Sequence, residues 1–402
     1  MLLKIPKAVW FLGAASLLTD LAGDAIYPLL PIFLTEVIGA SVLFVGTFEG
    51  VAESSASLSK YFAGYISDKV RRRSPFVLFG YGLSNLIRPL IGLITLPWQA
   101  LVLRFIDRVG KGVRGAPRDA WLATYTTSKT RGWIFGFHRG MDNMGAILGP
   151  LLAALFLSLY PGAFRPLFIL TIIPGLLSVV AILAATKTPK GVAETIAGPE
   201  LVKTKVATRL PKHFLFYLSI LGIFTLATSS DAFILLKLKN SGIPVSLIPL
   251  LWAALHVVKT TTSLLGGRLS DIFGRKFSII SGWILYSIVY LVFAFTSSPA
   301  LLIPVFITYG LFYGLTEGPE RAFVADLIEP HTHGTAFGLY HLVTGILAFP
   351  ASFLFGWIWE NYGAGNAFLI DSIIAAVAVL FLCFLKVPRL RDSSVIPAKA
   401  GI

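Results

Sequence analysis

Gly64-Tyr65-Ile66-Ser67-Asp68-Lys69-Val70-Arg71-Arg72-Arg73 is a short, strongly charged stretch between two long apolar runs. A related stretch returns as Gly267-Arg268-Leu269-Ser270-Asp271-Ile272-Phe273-Gly274-Arg275-Lys276. Gly64 and Gly267 are 203 positions apart, and so are Asp68 and Asp271. A Gly-x-x-Ser-Asp turn followed by basic residues, met twice at half-chain separation, predicts two related halves. The repeat reaches further. Pro117-Arg118-Asp119-Ala120 matches Pro319-Glu320-Arg321-Ala322 at an offset of 202, as Gly132 and Phe135-Gly136 match Gly334 and Phe337-Gly338. Asp24-Ala25 matches Asp231-Ala232 at 207.

Around these stretches the chain is apolar: 55% of its 402 residues are hydrophobic, 13% are charged, and mean hydropathy is +0.78. A soluble domain carries about 25% charged residues. This much apolar sequence exceeds the need of a water-soluble core and fits a bundle facing lipid. Twelve stretches are long enough to span: 8–34, 42–66, 75–96, 98–119, 133–158, 165–186, 214–238, 246–268, 277–296, 299–323, 335–358 and 366–386. The expected fold is an all-α integral membrane protein with twelve transmembrane helices in two pseudo-symmetric six-helix halves. The expected division is 1–186 for the first bundle, 187–213 for a linker, and 214–402 for the second bundle with a short tail.

Lys and Arg set the orientation. One set of loops holds Lys4, Lys7, Lys69 with Arg71 to Arg73, Lys129 and Arg131, the linker, Arg275, Lys276, and Lys386, Arg389 and Arg391. The opposite set holds little beyond Arg165, Lys237 and Lys239. The positive-inside rule then puts both termini in the cytoplasm of a plasma (bacterial inner) membrane. The linker charges Lys187, Lys190, Lys203, Lys205, Arg209 and Lys212 either set topology or attract anionic lipid. The net charge of +14 is read by location, as topogenic, and no nucleic-acid partner is expected. The single cysteine, Cys383, excludes an intrachain disulfide and a cysteine-cluster metal site. The first apolar run contains Asp20 and Asp24 and is too long for a signal h-region, so it reads as a retained span.

Twelve spans, a basic linker, parallel halves and the duplicated charged loop resemble the major facilitator superfamily over essentially the whole chain. The family loop runs roughly Gly-x-x-x-Asp-Arg/Lys-x-Gly-Arg-Arg/Lys; here Arg71 stands where Gly is usual, and Ile272 where a base is usual. Gly145-Ala146-Ile147-Leu148-Gly149-Pro150 is similar to a motif of the drug:proton antiporter branch, although Met141, Ala153 and Ala154 stand where further Gly is expected. The motif favours efflux, or it is small-residue helix packing with no bearing on direction. Arg104 to Gly112 is similar to the family's fourth-span arginine motif, with additional charges at Asp107, Arg108 and Lys111.

A charge near the bilayer centre costs at least about 2.5–3.5 kcal/mol, so such residues face a cavity or a partner. Asp20 and Asp24 share one face of the first span, and Glu49 and Glu53 one face of the second. His256 is the repeat partner of Glu53, and Asp231 that of Asp24. No base lies within four residues of Asp24 on its own helix. The expected proton-coupling residues are Asp20, Asp24, Glu53, Asp231 and His256. If the resemblance holds, spans 1, 4, 7 and 10 line a central cavity, which implicates Arg104, Arg108, Lys111 and Glu317 in the solute site. For each of these the competing reading is mutual neutralisation by an acid or base on a neighbouring helix. Asp68, Arg72, Arg118 and Asp119, with Asp271, Arg275, Glu320 and Arg321, are expected to form two matching cytoplasmic gate clusters.

The expected function is secondary active transport of a small solute by alternating access, proton-coupled and outward. The alternatives are proton-coupled uptake of a carboxylate or siderophore-like chelate, divalent-metal transport, and a transport-dead sensor on the same fold. The acids and histidines are scattered over separate spans without compact ligand spacing, so no metal site is assigned. No Walker A run and no nucleophile elbow is present, and neither an enzyme nor a cofactor is expected. The expected partners are the solute, protons and the bilayer, with the chain acting as a monomer.

Overall fold

The computed structural model describes residues 5–70, 73–127, 130–188, 210–328 and 333–385, without the side chains of Asp68, Arg131, Leu264 and residues 333–335. Arg72, the linker from 189 to 209 and the tail from 386 onward lie outside the described residues. All regular structure in the described residues is helical.

The first half holds α1 (Lys7–Ile26), α2 (Val42–Val70), α3 (Ser74–Ile87), α4 (Pro97–Ala123), α5 (Arg131–Leu159), α6 (Phe164–Leu170) and α7 (Ile172–Thr186). The second holds α8 (Lys212–Ala227), α9 (Asp231–Asn240), α10 (Leu247–Phe273), α11 (Arg275–Phe295), α12 (Pro299–Asp326), α13 (His333–Tyr362) and α14 (Ala364–Phe384). α6 and α7 together form one apolar segment, as do α8 and α9. By length and apolarity nine segments among the described residues can cross a membrane, or ten with the bent α10. The other two long helices, α2 and α4, are 29 and 27 residues and long enough, but their charges keep them out of that set.

Packing repeats between the halves. α2 lies on α4 as α10 lies on α12, and α3 on α4 as α11 on α12. α3 packs on α7 as α11 packs on α14. The halves meet along two seams, α2 against α13 and α5 against α10. Large apolar side chains such as Phe79, Leu93, Leu155, Val180, Leu380 and Phe384 stay exposed on the outer faces. That is the surface a lipid-facing bundle needs.

The charged repeat differs from its expected form. Gly64 to Val70 is the last part of α2, and Gly267 to Phe273 the last part of α10. The Ser67 hydroxyl donates to the Gly64 carbonyl at 2.9 Å and the Ser270 hydroxyl to Gly267 at 2.8 Å. Both copies therefore hold their serine against the helix backbone in the same way. In the second copy the turn is Gly274, with φ 93°, a conformation that glycine adopts without a Cβ penalty.

Gly145 and Gly149 are where α5 closes on α1. A Cβ on either would run into the backbone at Leu17 or Leu21. Close helix packing thus accounts for the Gly-x-x-x-Gly-Pro stretch, which leaves it no independent weight on transport direction.

Candidate functional site

A cavity of about 1540 Å³ lies between the halves. Its outer wall holds Lys60 and Tyr61 of α2, Arg118 and Asp119 of α4, Arg139 of α5, Arg321 of α12 and His341 of α13. These residues sit near the helix ends that carry the charged turns, so the cavity opens there. The opposite end is shut. α2 and α13 run against each other where Gly46 meets the Ser352 backbone and Gly50 the Phe349 backbone. The Leu43 amide donates to Glu360 at 2.8 Å, and Lys239 pairs with Glu36. The Ser54 hydroxyl donates to the Gly345 carbonyl at 2.7 Å. Beyond that level α2 and α13 part, leaving Tyr61 and His341 exposed.

Asp20, Asp24, Glu53, Asp231 and His256 all line this cavity, as do Arg108, Lys111 and Glu317. At its deep end the Trp252 indole N–H donates to Asp24 Oδ1 at 3.3 Å, and Tyr27 packs on Trp252 with ring centroids 5.0 Å apart. Asp231 accepts from the Tyr313 hydroxyl at 2.6 Å and from Tyr309 at 2.9 Å. Neither Asp24 nor Asp231 forms an ion pair with a base among the described residues. Most bases nearby are engaged elsewhere: Arg108 with Glu53 at 3.5 Å and Lys259 with Glu317 at 2.8 Å. The Lys259 ammonium also sits 3.9 Å from the centre of the Tyr313 ring, a cation–π contact.

Arg104 departs from its expected place on the main cavity wall. It is buried, pairs with Glu49 at 2.9 Å, and stacks beside Tyr27 and Phe48. With Arg88, which pairs with Asp107 at 3.0 Å, it borders a side pocket of about 70 Å³. Arg104 Nη1 also reaches Asp107 at 4.0 Å. Two arginines and two acids therefore neutralise one another inside the first half.

The gate clusters are not assembled as expected. Arg118 donates to its neighbour Asp119 at 2.9 Å and to Ser16 at 3.1 Å, at the cavity wall. Glu320 is drawn into the second half's interior, where it accepts from Trp283 at 3.0 Å and Tyr340 at 2.9 Å. Arg275 pairs with Asp326 at 2.9 Å, not with Asp271, which makes no ion pair among the described residues. The physical reason is reach: Glu320 finds two buried donors on its own half, and Asp326 lies at the end of α12 beside the start of α11. The Asp68 side chain and Arg72 lie outside the described residues.

Sequence reading missed Glu49 as a partner for Arg104, and Trp252, Tyr309 and Tyr313 as partners for the two acids. Aromatic residues within apolar runs give no signal of their own. Among the described residues no three or more His, Cys, Asp or Glu side chains are placed to hold a metal ion.

A repeated helical bundle with lipid-type outer faces, built around a charged cavity open at one end, defines a multi-pass membrane transporter. The Major Facilitator Superfamily model matches residues 12–258 and 218–401, and the chain belongs to that family. An uncharacterized MFS-type transporter of Methanocaldococcus jannaschii is 34% identical over 388 residues, 95% of this chain and 96% of that one. The multidrug resistance protein MdtG of Salmonella schwarzengrund is 26% identical over 172 residues, 42% of each chain. The fold is similar to that of a bacterial homolog of the human lysosomal transporter Spinster in an inward-facing, occupied conformation. That likeness has TM-score 0.76 at 14% identity and covers 93% of this chain and 95% of the other. A D-xylose-proton symporter gives TM-score 0.73 at 16% identity, covering 95% and 98%.

Proposed function

We propose that the protein is a proton-coupled secondary transporter that exports a small solute by alternating access. The observation that carries this reading is the deep end of the cavity. There the repeat-related acids Asp24 and Asp231 face one space from opposite halves, held by aromatic N–H and O–H donors and, among the described residues, paired with no base. Such acids can exchange a proton without breaking an ion pair. Glu53 and His256 flank them at matching positions in the repeat, and Asp20 lies nearer the mouth. Arg108, Lys111 and Glu317 give the solute charged partners of both signs. Outward direction is supported by the partial likeness to MdtG.

In this reading α2 and α4 also span the bilayer, making twelve spans in two bundles, 1–186 and 214–402, with 187–213 linking them. The charged-turn end is cytoplasmic, with both termini, in the plasma membrane, and the state described is inward-facing. The chain works as a monomer.

Uptake of a carboxylate or chelate is the second reading. It draws on Arg108, Lys111 and Arg114 lining one wall. A thermal-shift screen of purified protein against a diverse solute library would identify ligands. In proteoliposomes the identified solute should then move protons across the bilayer, opposite to its own flux. Movement in the same direction supports uptake; binding with no proton or solute flux supports the sensor reading and contradicts transport.

A further inference from the structure

Behind the cavity wall, α14 carries a buried acid that does not line the cavity. Asp371 is 3% exposed. It faces the amide and hydroxyl of Ser229, in the break between α8 and α9. Tyr290 of α11 faces the same hydroxyl, and its ring stacks on Tyr286 at 4.1 Å. Tyr286 donates to the Ala227 carbonyl at 2.7 Å, at the end of α8. Asp371 Oδ2, Ser229 Oγ and Tyr290 OH are all buried, and none of them closes a hydrogen bond.

The titratable groups facing Asp371 are Tyr286 and Tyr290, with Asp231 on the far side of Tyr290. No base pairs with it among the described residues. A buried carboxylate without a base is strongly unfavourable unless something neutralises it. A single acid supplies one negative charge, and the converging donors are all hard oxygens, which suits a small monovalent cation better than a soft or multivalent metal.

The break has three consecutive side chains pointing to three places. Ser229 faces Asp371. Ser230 caps α9 through the Ala232 amide at 3.3 Å and lies 3.4 Å from Glu49 and 3.5 Å from Tyr27 of the other half. Asp231 faces the cavity. Unwound backbone at membrane depth is tolerated where protein surrounds it, and in transporters it is a natural place for ions.

We propose that Asp371, Ser229 and Tyr290 form a buried site for a monovalent cation, a proton or a sodium ion, that acts on the cavity through the α8–α9 break. The role in transport rests on the function proposed above; the site itself does not. Infrared spectra and thermal unfolding of the purified full chain test it, in wild type, Asp371→Asn and Ser229→Ala, with sodium or choline as the cation. A carboxylic-acid carbonyl band lost in Asp371→Asn and shifted in Ser229→Ala establishes the proton. A rise in Tm with sodium but not choline, absent in Asp371→Asn and reduced in Ser229→Ala, establishes sodium. If Asp371→Asn does not fold, the Ser229→Ala comparison decides alone. Neither signal in wild type overturns the site. In proteoliposomes Asp371→Asn should reduce ion-driven flux about tenfold, a typical size for site–site coupling, with solute binding retained. If wild type moves no solute while the site's signal persists, transport fails and the site stands.

Discussion

Trp252 of the second half donates its indole N–H to Asp24 of the first, 228 positions away, at 3.3 Å. This bond ties the halves together at the deep end of the cavity, next to the acid proposed to carry the proton. Asp24→Asn is expected to abolish pH-driven transport without loss of expression. Trp252→Phe keeps an aromatic group beside Tyr27, smaller than the indole, and removes the N–H donor. Hydrogen bonds to charged groups contribute about 1.5–3 kcal/mol, so coupled transport should fall by about one to two orders of magnitude. Proton flux in proteoliposomes measures both. Coupling unchanged in Asp24→Asn would remove that acid from the mechanism.

The closed end depends on α2 and α13 approaching at their glycines. A Cβ at Gly46 would collide with the Ser352 carbonyl, whereas one at Gly140 meets nothing within 4 Å. Gly46→Ala should therefore disfavour the state described and expose the buried Ser352 at the closed end to cysteine labelling, measured as Ser352→Cys in a Cys383→Ser background. Gly140→Ala should leave labelling unchanged. Equal labelling in the two alanine variants would mean that the seam yields without cost.

The buried set of Arg88, Asp107, Arg104 and Glu49 should behave as a unit. Removing one member leaves a buried charge without its partner, which costs about 3–5 kcal/mol. Asp107→Asn should lower the Tm of purified protein markedly. Arg88→Met combined with Asp107→Leu should recover much of that loss. A double variant no more stable than Asp107→Asn would show that packing, not charge, holds this region.

Much of the fold was legible because length, hydropathy and repeat spacing survive without knowledge of packing. The offset of Gly64 and Gly267 marks two helices that pack alike on α4 and α12. Which way a charge turns was not legible, because it depends on what the facing helix offers. Arg104 and Arg108 sit one helical turn apart, yet the first closes on Glu49 in the interior and the second faces the cavity with Glu53. Glu320 and Asp119 occupy neighbouring repeat positions, but only Glu320 has Trp283 and Tyr340 in reach. Asp371 stands out in its helix as the one charged residue of α14, but what it faces was not legible, because Ser229 lies in a segment far away in sequence.

The charged turns should bias the two states and not merely set topology, since acids contribute little to orientation. Exposed ion pairs contribute about 0–1 kcal/mol each, so single changes at the gate should have modest effects that accumulate. Asp68→Asn with Asp271→Asn should slow transport more than either alone and raise labelling of a cavity cysteine from the cytoplasmic side. Wild-type transport and labelling in the double variant would leave topology as their only role.

Alternating access itself is tested most directly by spin-label distances at both ends of one molecule. With Cys383→Ser as background, one pair at Tyr61 and His341 reports the mouth, and a second at Ser41 and Asn361 reports the closed end. As solute or pH changes, alternating access predicts two populations at each site that exchange reciprocally: the mouth shortens as the other end lengthens. A single unchanging distance at both ends in protein that still moves solute, or both ends long together, would contradict it.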